Sequence, residues 1–242
     1  MTQPDWQWNE QVQRGTDYNS VAEVAVYDRR MSALRDVQAE ADSILDLLQL
    51  SPDDTLVEIG TGTGAFSRAA AKRCRKVVAV DVSPVMLAYA RKRAEDQGIG
   101  NVIFQEAGFL TYDHEGEAPA AIVTQLALHH LADAWKLVAL QRLARLLRRD
   151  GRLYLTDVVF PDHALDDWPS YVQGLLGRVP ANQRHEMARH VAQEFSTFDS
   201  LLRVMLERAG FSIERAELEK DFLGHYLCRT HSAAGQPRHA RR

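Results

Sequence analysis

From Thr55 onward, short apolar runs alternate with stretches whose apolar residues recur at helical spacing. "TLVEIG" reads as a buried strand stopped by glycine, and "AFSRAAAKRC" as the helix after it. "KVVAVD" is a second strand. "SPVMLAYARKRAED" is a helix with Ser83 as its N-cap and Pro84 in its first turn. "NVIFQE" and "AAIVTQL" follow as strands. "ADAWKLVALQRLARLLRR" carries Leu137, Leu140, Leu143, Leu146 and Leu147 along one side, with Gly151 as the expected helix stop. "RLYLTDVVF" is the fifth strand. Strands alternating with helices predict a parallel sheet covered on both faces.

The flanks differ. Residues 1–27 are polar with scattered aromatics: Trp6, Trp8, Tyr18 and Tyr27. From about Met31 to Leu50, the residues Leu34, Val37, Ala41, Ile44, Leu45 and Leu48 predict one helix. After Pro161 the alternation lapses until about Ser196, across a segment holding Trp168 and Tyr171. "TFDSLLRVMLERAG" is a helix. "FSIERAELEK" and "FLGHYLCRT" predict an antiparallel hairpin. The expected fold is α/β: a doubly wound, mostly parallel seven-stranded sheet with an antiparallel C-terminal hairpin strand and a small cap. The expected division is a helical and aromatic cap segment over 1–50 and a main domain over 51–230. That domain holds a substrate-side insertion at 161–197, and a basic flexible tail follows at 231–242.

Composition narrows the function. Apolar residues make up 45% of the 242 and charged residues 26%, an ordinary globular mix. The net charge of −4 removes any general attraction to nucleic acid or an anionic membrane. The longest stretch without a charged residue, Ala118 to Ala132, falls short of the ~20 apolar residues that span a bilayer. The polar start shows no signal-peptide pattern. Cys74 and Cys228 are too few for a disulfide framework, and a reduced, cytoplasmic setting is expected.

The chemistry begins at "LVEIGTGTGAFS". "GTGTGA" fits the G-x-G-x-x-A turn of dinucleotide folds, in which a pyrophosphate rests on a helix N-terminus. Glu58, two residues before the first glycine, disfavours such an anion. A ligand bearing an ammonium and a sulfonium reverses that argument, and S-adenosylmethionine carries both and no phosphate. "EIGTGTG" matches in full the E/D-x-G-x-G-x-G motif of the class I S-adenosylmethionine-dependent methyltransferases, which this sequence resembles. "DVSPVMLAYARKRA" matches that family's D-x-S-x-x-M-L-x-x-A-R segment. "LALHHLAD" and "LLRRDGRLYLTD" resemble its bacterial small-molecule branch, which includes the ubiquinone and menaquinone methyltransferases.

The resemblance implies a cofactor set of Glu58, Gly60, Thr61, Gly62, Gly64, Asp81, Val82, Met86, Gly108, Phe109 and Gln125. Asp81 would accept the ribose hydroxyls. One departure stands out. The family places an acid that binds the adenine amino group just before the "F-L" pair, and here Gly108 occupies that position. Glu106, Phe109 or a backbone carbonyl are the alternatives.

His129 and His130 follow the fourth strand and are the first catalytic candidates, with Tyr18 and Asp157 behind them. The competing reading has one histidine packed under the sheet and the other capping the next helix. Tyr18, Tyr27, Trp168 and Tyr171 either line the acceptor pocket or fasten the cap. The stretch up to Tyr27 is expected to close over the pocket, with cofactor binding independent of it. "HEMARH" spaces His185 and His190 five apart, too far round a helix to grip one metal, and no metal is expected. The turn after the fourth strand reads "TQLALHH" rather than the polar-Pro-Pro-aromatic pattern of base methylation. No cysteine lies there for attack on cytosine either. The expected function is methyl transfer to a small-molecule acceptor by in-line displacement, with the oligomeric state open. The alternatives are a catalytically silent binding or scaffold protein and a dinucleotide-dependent oxidoreductase.

Overall fold

The computed structural model describes residues 4–12, 17–32 and 35–231. Five parallel strands form its centre: β1 (Thr55–Ile59), β2 (Lys76–Asp81), β3 (Val102–Glu106), β4 (Ala121–Gln125) and β5 (Arg152–Phe160). The hairpin β7 (Phe211–Glu219) and β8 (Leu223–Thr230) adds antiparallel to β5. The sheet order is β3-β2-β1-β4-β5-β8-β7. Connections out from β1 run one way through β2 and β3 and the other way through β4, so the sheet reverses direction between β1 and β4. That reversal opens a crevice at the carboxyl ends of the strands.

Alternation along the strands builds two cores. Val57, Ile59, Val78, Val80, Ile122, Leu153 and Leu155 pack on one face under α5 (Asp133–Leu146) and α8 (Asp199–Ala209), which contribute Leu140, Leu143, Leu202 and Leu206. Leu56, Val77, Ala121, Val123 and Tyr154 face the other way, toward α2 (Val37–Leu48) and α3 (Ala65–Ala70). Each such leucine contributes about 1.5–3 kcal/mol by leaving water. α4 (Pro84–Asp96) covers β2 and β3, with the Ser83 hydroxyl accepting from the Met86 N–H at 3.1 Å as its N-cap.

The structure departs from the sequence reading in five places. The helix expected over residues 31–50 starts only at Val37, as α2, where the Asp36 carboxylate caps it by accepting from the Ala39 N–H at 3.0 Å; α1 (Val21–Ser32) precedes it, and Leu34 lies outside the described residues. α2 packs Ala41, Ile44, Leu45 and Leu48 into the core, so segment 1–50 is not a single cap. The left-handed residue after α5 is Asp150 (φ 58°), not Gly151, whose missing side chain instead spares a contact 2.9 Å from the Arg148 carbonyl. Segment 161–197 is helical, with α6 (Trp168–Arg178) and α7 (Arg184–Gln193). Thr197 and Phe198 form a short strand, β6, beside β5, so α8 begins only at Asp199. The tail beyond His231 lies outside the described residues. Among the described residues, no helix is long and apolar enough to cross a membrane.

Candidate active site

The glycine turn follows β1 and is tied to its neighbours. Gly60 and Thr61 both donate their N–H to the Val80 carbonyl, at 2.8 and 3.0 Å, which ties the turn to β2. Gly60 (φ +78°) lies against Ala127, where a Cβ would come within 2.5 Å. Gly64 (φ +73°) packs in the same way on Ala90 at 2.9 Å, as the residue before α3. Gly62 (φ +53°) is different: a Cβ there would meet nothing within 4 Å, because it faces the open cleft. Two glycines therefore serve packing, and one keeps space clear for a ligand.

Asp81 ends β2 inside that cleft. Its Oδ2 accepts from the Gly62 N–H at 2.8 Å and its Oδ1 from the Ser83 N–H at 2.9 Å. It is therefore not a helix cap, since Ser83 fills that role. Burial raises its pKa, and the Ser83, Gly62 and Val82 N–H groups work against the rise. Glu58 lies behind the turn, fully enclosed. Its Oε2 accepts from the Thr61 hydroxyl at 2.7 Å and from the Ser67 hydroxyl. Burial pushes the Glu58 carboxyl up to about 7, the two hydroxyls opposing. Glu58 and Thr61 border a second opening that shares Gly60, Gly62 and Gln125 with the cleft.

The cleft, a cavity of about 110 Å³, lies at the switch point. Val82, Met86, Gly108, Phe109 and Gln125 all line it. Glu106, offered as a stand-in for the absent acid, is exposed on β3 and does not border the cleft. The carboxylate that does reach Gly108 is Glu10, which sequence reasoning missed. Its Oε2 accepts from the Leu110 N–H at 2.9 Å. Burial raises its pKa, opposed by N–H groups of Leu110 and Phe109. Glu10, Tyr18 and Tyr27 all line the cleft. The N-terminal stretch therefore lines the same cleft as Gly62 and Asp81.

Beyond β4 the chain turns sharply. Leu126 adopts φ +52°, a strained conformation for a leucine, and donates its N–H to the Thr156 carbonyl at 2.8 Å. A 3-10 turn, Leu128–His130, then carries both histidines. His129 is buried. Its Nδ1 bonds Asp157 on β5, and its Nε2 lies 3.1 Å from Glu194 Oε2. His190 Nδ1 reaches the same Glu194 oxygen at 2.5 Å, and its Nε2 bonds the Ser196 hydroxyl at 2.8 Å. Burial alone would lower the His129 pKa, but Asp157 and Glu194 overcome it and hold it at about 9. Asp157 is held below the usual carboxylate range despite its burial, by His129. Neither residue has a free basic atom facing the cleft, which removes both as general bases. The i, i+4 spacing of His190 and Glu194 was the available sequence signal for this network.

His130 lines the cleft, its ring 4.3 Å from that of His129 and edge-on to Tyr18 with centroids 6.0 Å apart. Burial, then the neighbouring charge of His129, depresses it to about 3, so the imidazole is neutral. Burial pushes the Tyr18 phenol well above its ordinary value, leaving a donor rather than a base. Trp168 and Tyr171 do not border the cleft. They pack with Phe160 and Leu175 and fasten the insertion to the end of β5. His225 and Tyr226 lie in β8, where Tyr226 is core. Among the described residues, one group could hold a cation: His129, His130 and Glu194, with ligand atoms within 4.8 Å of one another.

A family described as "Methyltransferase domain" matches residues 56–151. An uncharacterized methyltransferase of Geobacillus kaustophilus is 28% identical over 195 residues, covering 79% of this chain and 86% of the relative. The fold is similar to a SAM-dependent methyltransferase from Aquifex aeolicus at TM-score 0.61, with 17% identity, 87% of this chain and 98% of that one. It is also similar to the magnesium protoporphyrin IX methyltransferase of Synechocystis with bound SAH. That match has TM-score 0.59 and 20% identity over 80% of this chain and 83% of that one.

Proposed function

We propose, from the premise that the chain is a class I S-adenosylmethionine-dependent methyltransferase, that it methylates a small-molecule acceptor held in the cleft beneath its N-terminal segment. The observation that carries this reading is the convergence of Asp81, open Gly62 and neutral His130 on one cavity roofed by Tyr18 and Tyr27.

S-adenosylmethionine, when bound, supplies a methyl carbon already activated by its sulfonium. The protein's residues position and protect. Asp81 accepts the two ribose hydroxyls, because an ionised carboxylate is an acceptor only. Gly62 lets the backbone come close. Glu58, behind the turn, offers negative charge to the amino-acid ammonium. Val82, Met86 and Phe109 form apolar walls for the base. Tyr18 and Tyr27 exclude water. His130 accepts a hydrogen bond from the acceptor's O–H or N–H and orients its lone pair along the displacement line. Such alignment supplies much of the rate in a reaction of this kind. Its proton acceptance becomes favourable only as the new bond acidifies that hydrogen.

The reading is metal-free. Both nitrogens of His129 already hold carboxylates, so the His129–Glu194 cluster is satisfied by protons. The experiment is turnover: purified protein, S-adenosylmethionine and a panel of phenols, amines and thiols, with S-adenosylhomocysteine quantified. Acceptor-dependent product supports the proposal. Intact cofactor binding with no turnover across the panel would favour a silent binding protein.

A further inference from the structure

We propose that Glu10, carried on the N-terminal segment, is the residue that recognises the amino group of the cofactor's adenine, so that this segment completes the binding site. The inference rests on the reading of the cleft as a S-adenosylmethionine site. It concerns a residue 100 positions away in sequence from its partner Leu110.

Three observations support it. First, the Glu10 carboxylate fills the space a side chain at position 108 would take. A Cβ built on Gly108 would lie 2.5 Å from Glu10 Oε1, 2.6 Å from Cδ and 2.7 Å from Oε2. Gly108 and Glu10 are therefore a matched pair: the missing side chain admits the incoming acid. Second, the carboxylate is fixed. Leu110 donates its N–H at 2.9 Å and the Thr111 hydroxyl lies at 3.4 Å. The segment that carries Glu10 is pinned on both sides, by Trp8 edge-on to Phe195 at 5.4 Å and by the Tyr18 carbonyl, which accepts from the Ser83 hydroxyl at 2.8 Å. Third, the surroundings select the ligand group. Val82, Met86 and Phe109 line the same cleft as Asp81 and give it apolar side chains that suit a flat ring. At Gly108 in that cleft the carboxylate is Glu10's.

A carboxylate accepts hydrogen bonds and cannot donate them. In an apolar slot it favours a ring edge bearing an exocyclic amino group and repels one bearing a carbonyl. The site should therefore discriminate a 6-amino purine from its 6-oxo counterpart. Losing a hydrogen bond to a charged group corresponds to about a 10- to 100-fold loss of affinity.

Calorimetry with S-adenosylhomocysteine and its 6-oxo analogue, S-inosylhomocysteine, tests this without turnover. The wild-type protein should prefer the amino compound by about 10- to 100-fold. Glu10→Ala should lose most of that preference. Glu10→Gln, which keeps the side-chain volume, should shift preference toward the oxo compound, because its amide can donate; it carries the test if Glu10→Ala fails to fold. Glu10→Ala combined with Gly108→Asp should restore the amino preference, since the space at position 108 is then free. Gly108→Asp alone should weaken binding, because two carboxylates collide. A Glu10→Gln protein that binds both compounds as the wild type does would overturn the proposal. Failure of the wild type to bind S-adenosylhomocysteine at all would overturn the reading of the cleft itself.

Discussion

His129 Nε2 lies 3.1 Å from Glu194 Oε2, joining the end of β4 to the helical insertion that roofs β5. The contact is one link of a chain of hydrogen-bonded groups, Asp157–His129–Glu194–His190. Beside it, burial first and the charge of His129 second keep His130 neutral where it lines the cleft.

That chain makes stability depend on pH. His129 titrates near 9 in the folded protein and near 6.5 unfolded, so its contribution is fully present below about pH 6.5 and lost as pH rises through about 9. Thermal melts should show the midpoint falling across that window. Glu194→Ala should destabilise by about 3–5 kcal/mol at pH 6.5, because it strands a buried charge, and should flatten the decline. A midpoint unchanged by Glu194→Ala would show the network is idle.

Glu58 has the opposite chemistry and an earlier window. Its folded pKa of about 7 exceeds the unfolded value of about 4.5, so the folded state holds the proton more tightly. Stability should fall as pH rises from about 4.5 to about 7 and level off above. Glu58→Gln should remove this penalty and be at least as stable as wild type at pH 8. Affinity for S-adenosylmethionine should rise between pH 6 and 8 in the wild type, as the carboxylate ionises to meet the ammonium. Calorimetry on Glu58→Gln should show a weaker, pH-independent affinity; a pH-dependent one would assign the titration elsewhere.

His130→Ala should lower kcat by about 100-fold or more, the low end of what a positioned proton acceptor contributes, while S-adenosylhomocysteine affinity stays the same. Because His130 is neutral throughout the working range, the kcat profile should lack a limb near pH 6.5. Equal loss of kcat and cofactor affinity would make the imidazole a wall of the cofactor site.

Chelation distinguishes the proton-held histidine cluster from a metal centre. Dialysis against EDTA should leave turnover and melting midpoint unchanged, and elemental analysis of the purified protein should find no stoichiometric transition metal. Loss of activity restored by one divalent ion would place that ion at His129, His130 and Glu194.

The central sheet was legible because a strand buried on both faces is a continuous apolar run. "TLVEI" and "KVVAVD" each end on the residue that turns into the site. The glycine turn was legible for the same local reason, although only the structure separates the packing roles of Gly60 and Gly64 from the open position of Gly62. Glu10 was not legible: nothing in a polar stretch marks one acid among several, and its meaning comes from a glycine near the far end of β3. Asp36 escaped notice because helical spacing ran on across the break it caps. Asp157 and His129 were each noticed separately, but their pairing needs the β4–β5 register, which places Gln125 opposite Thr156.

The most direct test of the account is calorimetric titration of the wild type and Asp81→Ala with S-adenosylmethionine, S-adenosylhomocysteine and NAD. The wild type should bind the first two and not the third. Asp81→Ala should weaken both by a similar factor, about 1.5–3 kcal/mol for each charged hydrogen bond removed, since the two ligands share a ribose. Binding of NAD, or an Asp81→Ala protein that holds both sulfur ligands as tightly as the wild type, would contradict the assignment of the cleft.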